Sequence, residues 1–334
     1  MTQPDTLRGI GESAALARIF PRLPGSDYAV VGPGDDSAVM RAPDARFVVT
    51  TDMMIHGPDF RLAWSTPHDL GWKAAASNLA DVAAMGAVPT ALVVAIAAPA
   101  DSPVSLLEGI ADGLRDGCHA LAPGCGVVGG DLSVSATLTI AVTAFGDLEG
   151  RPPVLRSGAR VGDVVAVSGV LGRAAAGLRL LFERATVDGH PDAAAAAALR
   201  AAEPALVSAQ LAPAPPISDG VLASLAGATA MLDLSDGLAL DARRLARASG
   251  VTLDLSASAV GDRESLDGGE DHSLLATFPA GTALPGGFRA IGTVVPSDEG
   301  HGDGENGDGV LVDGRPYGER GGWDPYEQWS GAVG

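Results

Sequence analysis

Phe47-Val48-Val49-Thr50-Thr51-Asp52 is a β-branched run that ends on a carboxylate, and His68 to Met85 behind it reads as a long helix. That helix carries apolar residues at Leu70, Ala74, Leu79 and Val82 and stops at Gly86-Ala87-Val88-Pro89, where glycine and proline end helices. Asn78 and Asp81 stand three apart and are expected on its polar face. The alternation continues through strand 91–98, helix 103–120, Val127-Val128 leading into Gly129-Gly130-Asp131, and strand 137–145. Upstream, Gly11 to Phe20 has helical spacing. Such alternating elements predict an α+β first domain.

The chain has 334 residues, long for one core and suited to two domains of about 150 residues each. Between Gly150 and Asp163 the composition turns to Pro, Gly and Arg, so the expected division is 1–148 and 149–334. The second part is expected to hold strand 164–168, helix 172–184, an Ala-rich helix from 191 to about 203, and helix 238–249. Asp236 and Asp241 flank Gly237-Leu238 at the start of the last, with Asp241 read as solvated. Asp298 to Asp313 lacks the spacing of a calcium loop and reads as hairpin loops.

A formal charge of −19 argues against a nucleic-acid partner, which would need Lys and Arg to neutralise phosphates. No stretch approaches eighteen uninterrupted apolar residues and no leader segment opens the chain, so no membrane role is expected. The two cysteines, Cys118 and Cys125, read as reduced, partly buried thiols, which predicts a cytoplasmic protein.

Seven aspartates lie in five short motifs: Gly34-Asp35-Asp36, Thr50-Thr51-Asp52, Asn78-Leu79-Ala80-Asp81, Gly129-Gly130-Asp131 and Asp233-Leu234-Ser235-Asp236-Gly237. Each alone also fits an ordinary turn, strand end, solvated helix face or helix cap. Brought together, the carboxylates would repel unless cations sat between them, and hard oxygen ligands suit Mg²⁺ carrying substrate phosphates. The only lysine is Lys73, in Gly-Trp-Lys-Ala, so no P-loop exists, and Gly32-Pro33-Gly34 opens no dinucleotide-binding helix.

In order and spacing these motifs, with Lys73-Ala74, Arg156-Ser157-Gly158-Ala159 and Gly268-Gly269-Glu270-Asp271, resemble the thiamine-monophosphate kinase family. That family sits in the wider PurM-like group with aminoimidazole ribonucleotide synthetase, selenophosphate synthetase and hydrogenase maturation enzymes. The resemblance runs from Gly11-Glu12 to Trp323-Asp324. It implies a two-domain α+β PurM-like fold, an N-terminal domain forming a dimeric β-barrel with its copy, and a C-terminal α/β domain. It further implies that Asp36, Thr50, Thr51, Asp52, Asp81, Asp131, Asp233 and Asp236 bind several Mg²⁺ ions, with Asp52, Asp131 and Asp236 catalytic. Gly130, Asp131, Arg156 and Ser235 would touch ATP, and Asp59, Glu270 and Trp323 would contact thiamine monophosphate.

The implied reaction is transfer of the γ-phosphoryl group of ATP, the co-substrate, to thiamine monophosphate by a homodimer. Asp59 stands where the family commonly has histidine, and His272-Ser273 where Tyr-Glu is frequent. An enzyme of the same fold with another acceptor, or a non-catalytic nucleotide-binding relative, would share the acidic motifs.

Overall fold

A computed structural model describes residues 5–33, 37–297, 309–319 and 321–322. Its first sheet has four strands in the order Val48–Ile55, Thr139–Asp147, Val88–Ala98, Gly126–Val134. The first three pair antiparallel in turn, and the last two are parallel, joined by the Val104–Leu121 helix. A parallel pair needs such a crossover, because its strands start at the same end.

Helix Pro67–Ala84 is capped as its sequence dictates. Thr66 accepts from Asp69 N–H, the Asp69 carboxylate reaches back to Thr66 N–H, and Pro67 takes the first helical position. Helices Pro67–Ala84 and Val104–Leu121 cross at glycines. A Cβ on Gly71 would stand 1.9 Å from Ile110 O, and one on Gly113 would stand 2.0 Å from His68 O. Gly113→Ala is therefore expected to destabilise the fold by about 3 kcal/mol, near the upper end for overpacking, since rigid backbone lies in the way. Urea unfolding tests this, and an unchanged midpoint would contradict the contact.

One face of the sheet is buried under these helices, through Ile140, Val142 and Ala144. The opposite face stays uncovered although it is apolar: Val49 is 54% and Met53 53% exposed. Within one chain the sheet is open. Its edge strands, Val48–Ile55 and Gly126–Val134, do not pair with each other, so the implied barrel is not formed by a single copy.

The second sheet has seven strands in the order Ala230–Leu234, Ser273–Phe278, Val164–Ser168, Arg289–Pro296, Val251–Leu255, Val310–Val312, Arg315–Pro316. Every pairing is antiparallel except that of Val251–Leu255 with Val310–Val312. The expected α/β domain is thus corrected to α+β. Helix Leu238–Ser249 links strands that three others separate, so it does not build the repeating parallel unit.

Helix Pro67–Ala84 is packed from both sides. Gly220 on helix Ile217–Leu225 would place a Cβ 2.1 Å from Ala83 O, Trp72 Nε1 donates to Pro213 O at 2.7 Å, and Arg200 pairs with Asp69 at 2.6 Å. Trp64 sits in a small core with Leu181, Leu199 and Leu211, its Nε1 donating to Ala185 O. The expected polar face at Asn78 is corrected. Asn78 is 2% exposed and its Nδ2 donates to Ala74 O. Cys118 and Cys125 are buried free thiols. Val310–Val312 and Arg315–Pro316 form a hairpin through Asp313-Gly314, both at positive φ, whereas 298–308 of the expected loop region lies outside the described residues. Among the described residues no helix is long and apolar enough to cross a membrane.

Candidate functional site

The two sheets bring their acidic motifs to one cavity of about 410 Å³. Thr51 and Asp52 come from strand Val48–Ile55, Asp59 from the loop after it, and Lys73, Ser77 and Asp81 from successive turns of helix Pro67–Ala84. Across from them stand Asp233, at the end of its strand, Ser235 and Asp236 in the following turn, and Glu270 and His272. A second cavity of about 770 Å³ adjoins it, lined by Phe47, Val49, Thr50, Pro153, Arg156 and Met231 among others. Asp81 and Asp233 line both.

Local geometry explains the second half of this site. Asp271 does not face the cavity. Its carboxylate accepts from Gly172 N–H at 2.6 Å and Ala174 N–H at 2.8 Å, capping helix Arg173–Arg184. Glu270 and His272 on either side take positive φ, 71° and 50°, uncommon for residues with a Cβ, and both line the cavity. Glu270 N–H donates to Ser235 O at 2.7 Å, which docks this loop on the Ser235-Asp236-Gly237 turn. The turn needs Gly237, whose φ is 126° and where a Cβ would stand 2.7 Å from Asp267 O.

Most of the acids already have a partner. Thr50 Oγ1 donates to Asp81 Oδ2 at 2.8 Å, and Asp59 Oδ2 accepts from Ile55 N–H at 2.6 Å. Thr51 Oγ1 donates instead to Val142 O. His272 Nδ1 lies 3.3 Å from Asp233 Oδ2, and Lys73 Nζ lies 2.5 Å from Glu270 Oε2. Arg244 bonds Asp236 and Asp241, both at 2.6 Å. Asp241 is 2% exposed, not solvated, which corrects the expectation for it.

The charges remain unbalanced. Burial pushes Asp81 up to about 6, with repulsion from Asp233 adding to it, and burial also raises Asp52 and Asp59. Burial works against the charged form of Glu270 too, but Lys73 and His272 outweigh it and hold its carboxyl below the usual range. For His272 burial is overcome by the Asp233 hydrogen bond and the Glu270 charge, which raise it.

Acidic oxygens crowded at low solvation fit a hard divalent cation. Among the described residues no three His, Cys, Asp or Glu side chains cage an ion by themselves. One or two carboxylates with substrate phosphates and water is the coordination Mg²⁺ favours.

A pH test follows from Asp81. Its folded pKa near 6 lies above the ordinary 3.8, so its protonation favours the fold at acid pH, a gain lost as pH rises through about 6. Above that pH the carboxylate is charged and a bound cation relieves it. Mg²⁺ is therefore expected to raise the melting temperature more at about pH 7.5 than at about pH 5. Equal shifts at both would remove Asp81 from the metal set.

Not every expected residue reaches these cavities. Gly130 and Asp131 line a separate, largely apolar pocket with Leu16, Ile19 and Leu107. Asp131 pairs with Ala95, at the far edge of the sheet from Asp52, about three strand spacings or roughly 14 Å away. Asp36 and Trp323 lie outside the described residues. Lys73, His272 and Arg244 are site residues that the sequence reading left without a role. Lys73 carried a signal as the single lysine beside the Asn78 to Asp81 motif, and His272 one as a departure from the family's frequent Tyr-Glu.

Residues 34–148 match the family described as AIR synthase related protein, N-terminal domain. The thiamine-monophosphate kinase of Mycobacterium tuberculosis is 41% identical over 342 residues, covering 97% of this chain and 94% of that protein. That of Corynebacterium glutamicum is 40% identical over 318 residues, covering 87% and 90%. Among solved structures, AaThiL complexed with AMPPCP and TMP superposes with a TM-score of 0.70 at 32% identity, covering 86% of this chain and 90% of that one. The arrangement is PurM-like, and with near full-length identity of this order the chain belongs to the thiamine-monophosphate kinase family.

Proposed function

We propose that the protein transfers the γ-phosphoryl group of ATP to thiamine monophosphate, yielding thiamine diphosphate and ADP. The observation that carries this reading is the pair of adjoining cavities with Asp81 and Asp233 on the wall of both. A nucleotide in the larger cavity, against Phe47, Val49, Met231 and Arg156, would direct its phosphates toward Asp81 and Asp233. The acceptor would enter from the smaller one. Donor and acceptor phosphates then meet where the acids converge, and alignment of the two reacting groups supplies much of the rate. The relatives named for this activity, and the AMPPCP and TMP complex of the similar AaThiL, support the same assignment.

In the transfer, an oxygen of the thiamine monophosphate phosphate attacks the γ-phosphorus. The bond to the bridging oxygen breaks and ADP leaves with its electron pair. An ionised phosphate oxygen needs no general base, and the cavity contains no residue poised solely as one. Thr50, Thr51, Asp52, Asp81, Asp233 and Asp236 are proposed to hold Mg²⁺, as is Asp36. Bound divalent ions would screen the repulsion between the two polyanions and stabilise charge on the transferring oxygens. Asp52 and Asp236 are the proposed catalytic pair from opposite walls, and Ser235 and Arg156 the proposed ATP contacts. Glu270 would attract the cationic thiazolium ring, Asp59 would lie near the phosphate-bearing end of the acceptor, and Trp323 would stack on one of its rings.

Asp131, proposed as a further catalytic and metal residue, and Gly130 as an ATP contact, would act on a nucleotide only if brought to it by assembly. The uncovered apolar face around Val49 and Met53 supports a homodimer in which two such sheets close a barrel. The division into 1–148 and 149–334, and a cytoplasmic location in keeping with two free thiols, belong to the same reading.

Mass spectrometry of products tests the substrate. Thiamine monophosphate is expected to give thiamine diphosphate, whereas free thiamine is expected to give none, because its neutral hydroxyl would need a base. Phosphorylation of thiamine at a comparable rate would overturn the mechanism, and ATP turnover with neither compound would point to another acceptor.

A further inference from the structure

Asp236 is held at its main chain by Asp241 and at its side chain by Arg244, and these two residues are themselves paired. Arg244 Nη1 donates to Asp236 Oδ2 and to Asp241 Oδ1, each at 2.6 Å. The other oxygen of Asp241 accepts from Asp236 N–H at 3.0 Å and from Gly237 N–H at 3.2 Å. These contacts form a closed ring: the Asp236 backbone to Asp241, Asp241 to Arg244, Arg244 back to the Asp236 carboxylate. Asp241, 2% exposed, anchors the ring from the buried side of helix Leu238–Ser249, while the Arg244 and Asp236 side chains are 39% and 27% exposed.

We propose that Asp241 and Arg244 are positioning residues that fix the turn and the carboxylate orientation of Asp236 for binding a divalent cation. The inference rests on the proposed function, which makes Asp236 a metal-binding residue. Its physical basis is that an aspartate at the end of a turn has two free side-chain torsions. Arg244 takes one oxygen, removes that freedom and leaves Oδ1 for the cavity. Asp241 prevents the turn from swinging, since both N–H groups that could reorient are already bonded to it. The alternative is that Arg244 is a rival counter-ion, a charge the metal must displace. The two roles differ in sign, because loss of a positioning group weakens metal binding whereas loss of a rival strengthens it.

Mn²⁺ binding to the full-length protein without nucleotide, followed by electron paramagnetic resonance, separates them. Arg244→Met keeps the aliphatic stem and removes both donors, and Asp241→Asn removes the charge that anchors Arg244. Each is expected to weaken Mn²⁺ binding about tenfold, the lower end of the effect of outer hydrogen-bond partners on metal affinity. Arg244→Lys, which retains a single charge and donor, is expected to recover part of the loss and serves also if the methionine variant fails to fold. Asp236→Asn is the reference. If it weakens binding while Arg244→Met, with a wild-type melting temperature, leaves binding unchanged or tighter, the positioning role is overturned and the metal reading stands. Unaltered binding in Asp236→Asn would bring both down.

Discussion

Asp81→Asn and Asp236→Asn are each expected to lower kcat/KM for thiamine monophosphate by at least about a hundredfold, the scale of losing one preorganised electrostatic group. The two stand on opposite sides of the cavity, one on helix Pro67–Ala84 and one in the turn after Ala230–Leu234, and they have different partners, Thr50 and Arg244. An amide keeps the shape of each side chain and removes its charge, so the loss would report electrostatics and not packing. Asp101, exposed in the loop between Val88–Ala98 and Val104–Leu121 and lining neither cavity, is the control, and Asp101→Asn is expected to cost less than about threefold. Asp241 cannot serve as that control, because it is buried and bonded to the Asp236 turn. A coupled ADP-release assay reads all three, and similar rates in the three variants would mean the site map is wrong.

Chelation is expected to have a larger effect still. Excess EDTA should reduce turnover at least about a thousandfold, since metal stabilisation of transition-state charge is worth several kcal/mol. The reason lies in the balance of charge. Six acids, Asp52, Asp59, Asp81, Asp233, Asp236 and Glu270, share the cavity with two cationic side chains, Lys73 and His272, and burial raises Asp52, Asp59 and Asp81, with neighbouring carboxylates adding to it. Two substrates rich in phosphate would add further negative charge. Restoration of turnover by added MgCl₂ completes the experiment, and full activity in EDTA would remove the metal from the mechanism.

Much of the first half was legible from local pattern. Strand 164–168 in the second half matches its expected bounds, and helix 172–184 departs from the observed Arg173–Arg184 by one residue. Helix Pro67–Ala84 and strand Val48–Ile55 were legible too, because caps, glycine stops and β-branched runs act within a few residues. The acidic motifs were equally visible: those of Asp52, Asp81 and Asp233 to Asp236 supply residues to one cavity, Gly129-Gly130-Asp131 lines another pocket, and Gly34-Asp35-Asp36 lies outside the described residues. Strand Ser273–Phe278 was not legible: all six of its residues are buried, so it has no alternation to read.

The amino-acid sequence by itself determined the family, the α+β elements of the first half and the chemical character of the site, since residue types and their order carry those. Only the tertiary structure decided which residues have company. Asp241 looked solvated until Arg244 and the Asp236 turn closed over it, and Asn78 looked polar-faced until a second layer packed on its helix. Within one chain, strand order puts Asp131 at the opposite edge of the sheet from Asp52. Burial and pairing arise from contacts between residues distant in the chain, and no short-range pattern encodes them.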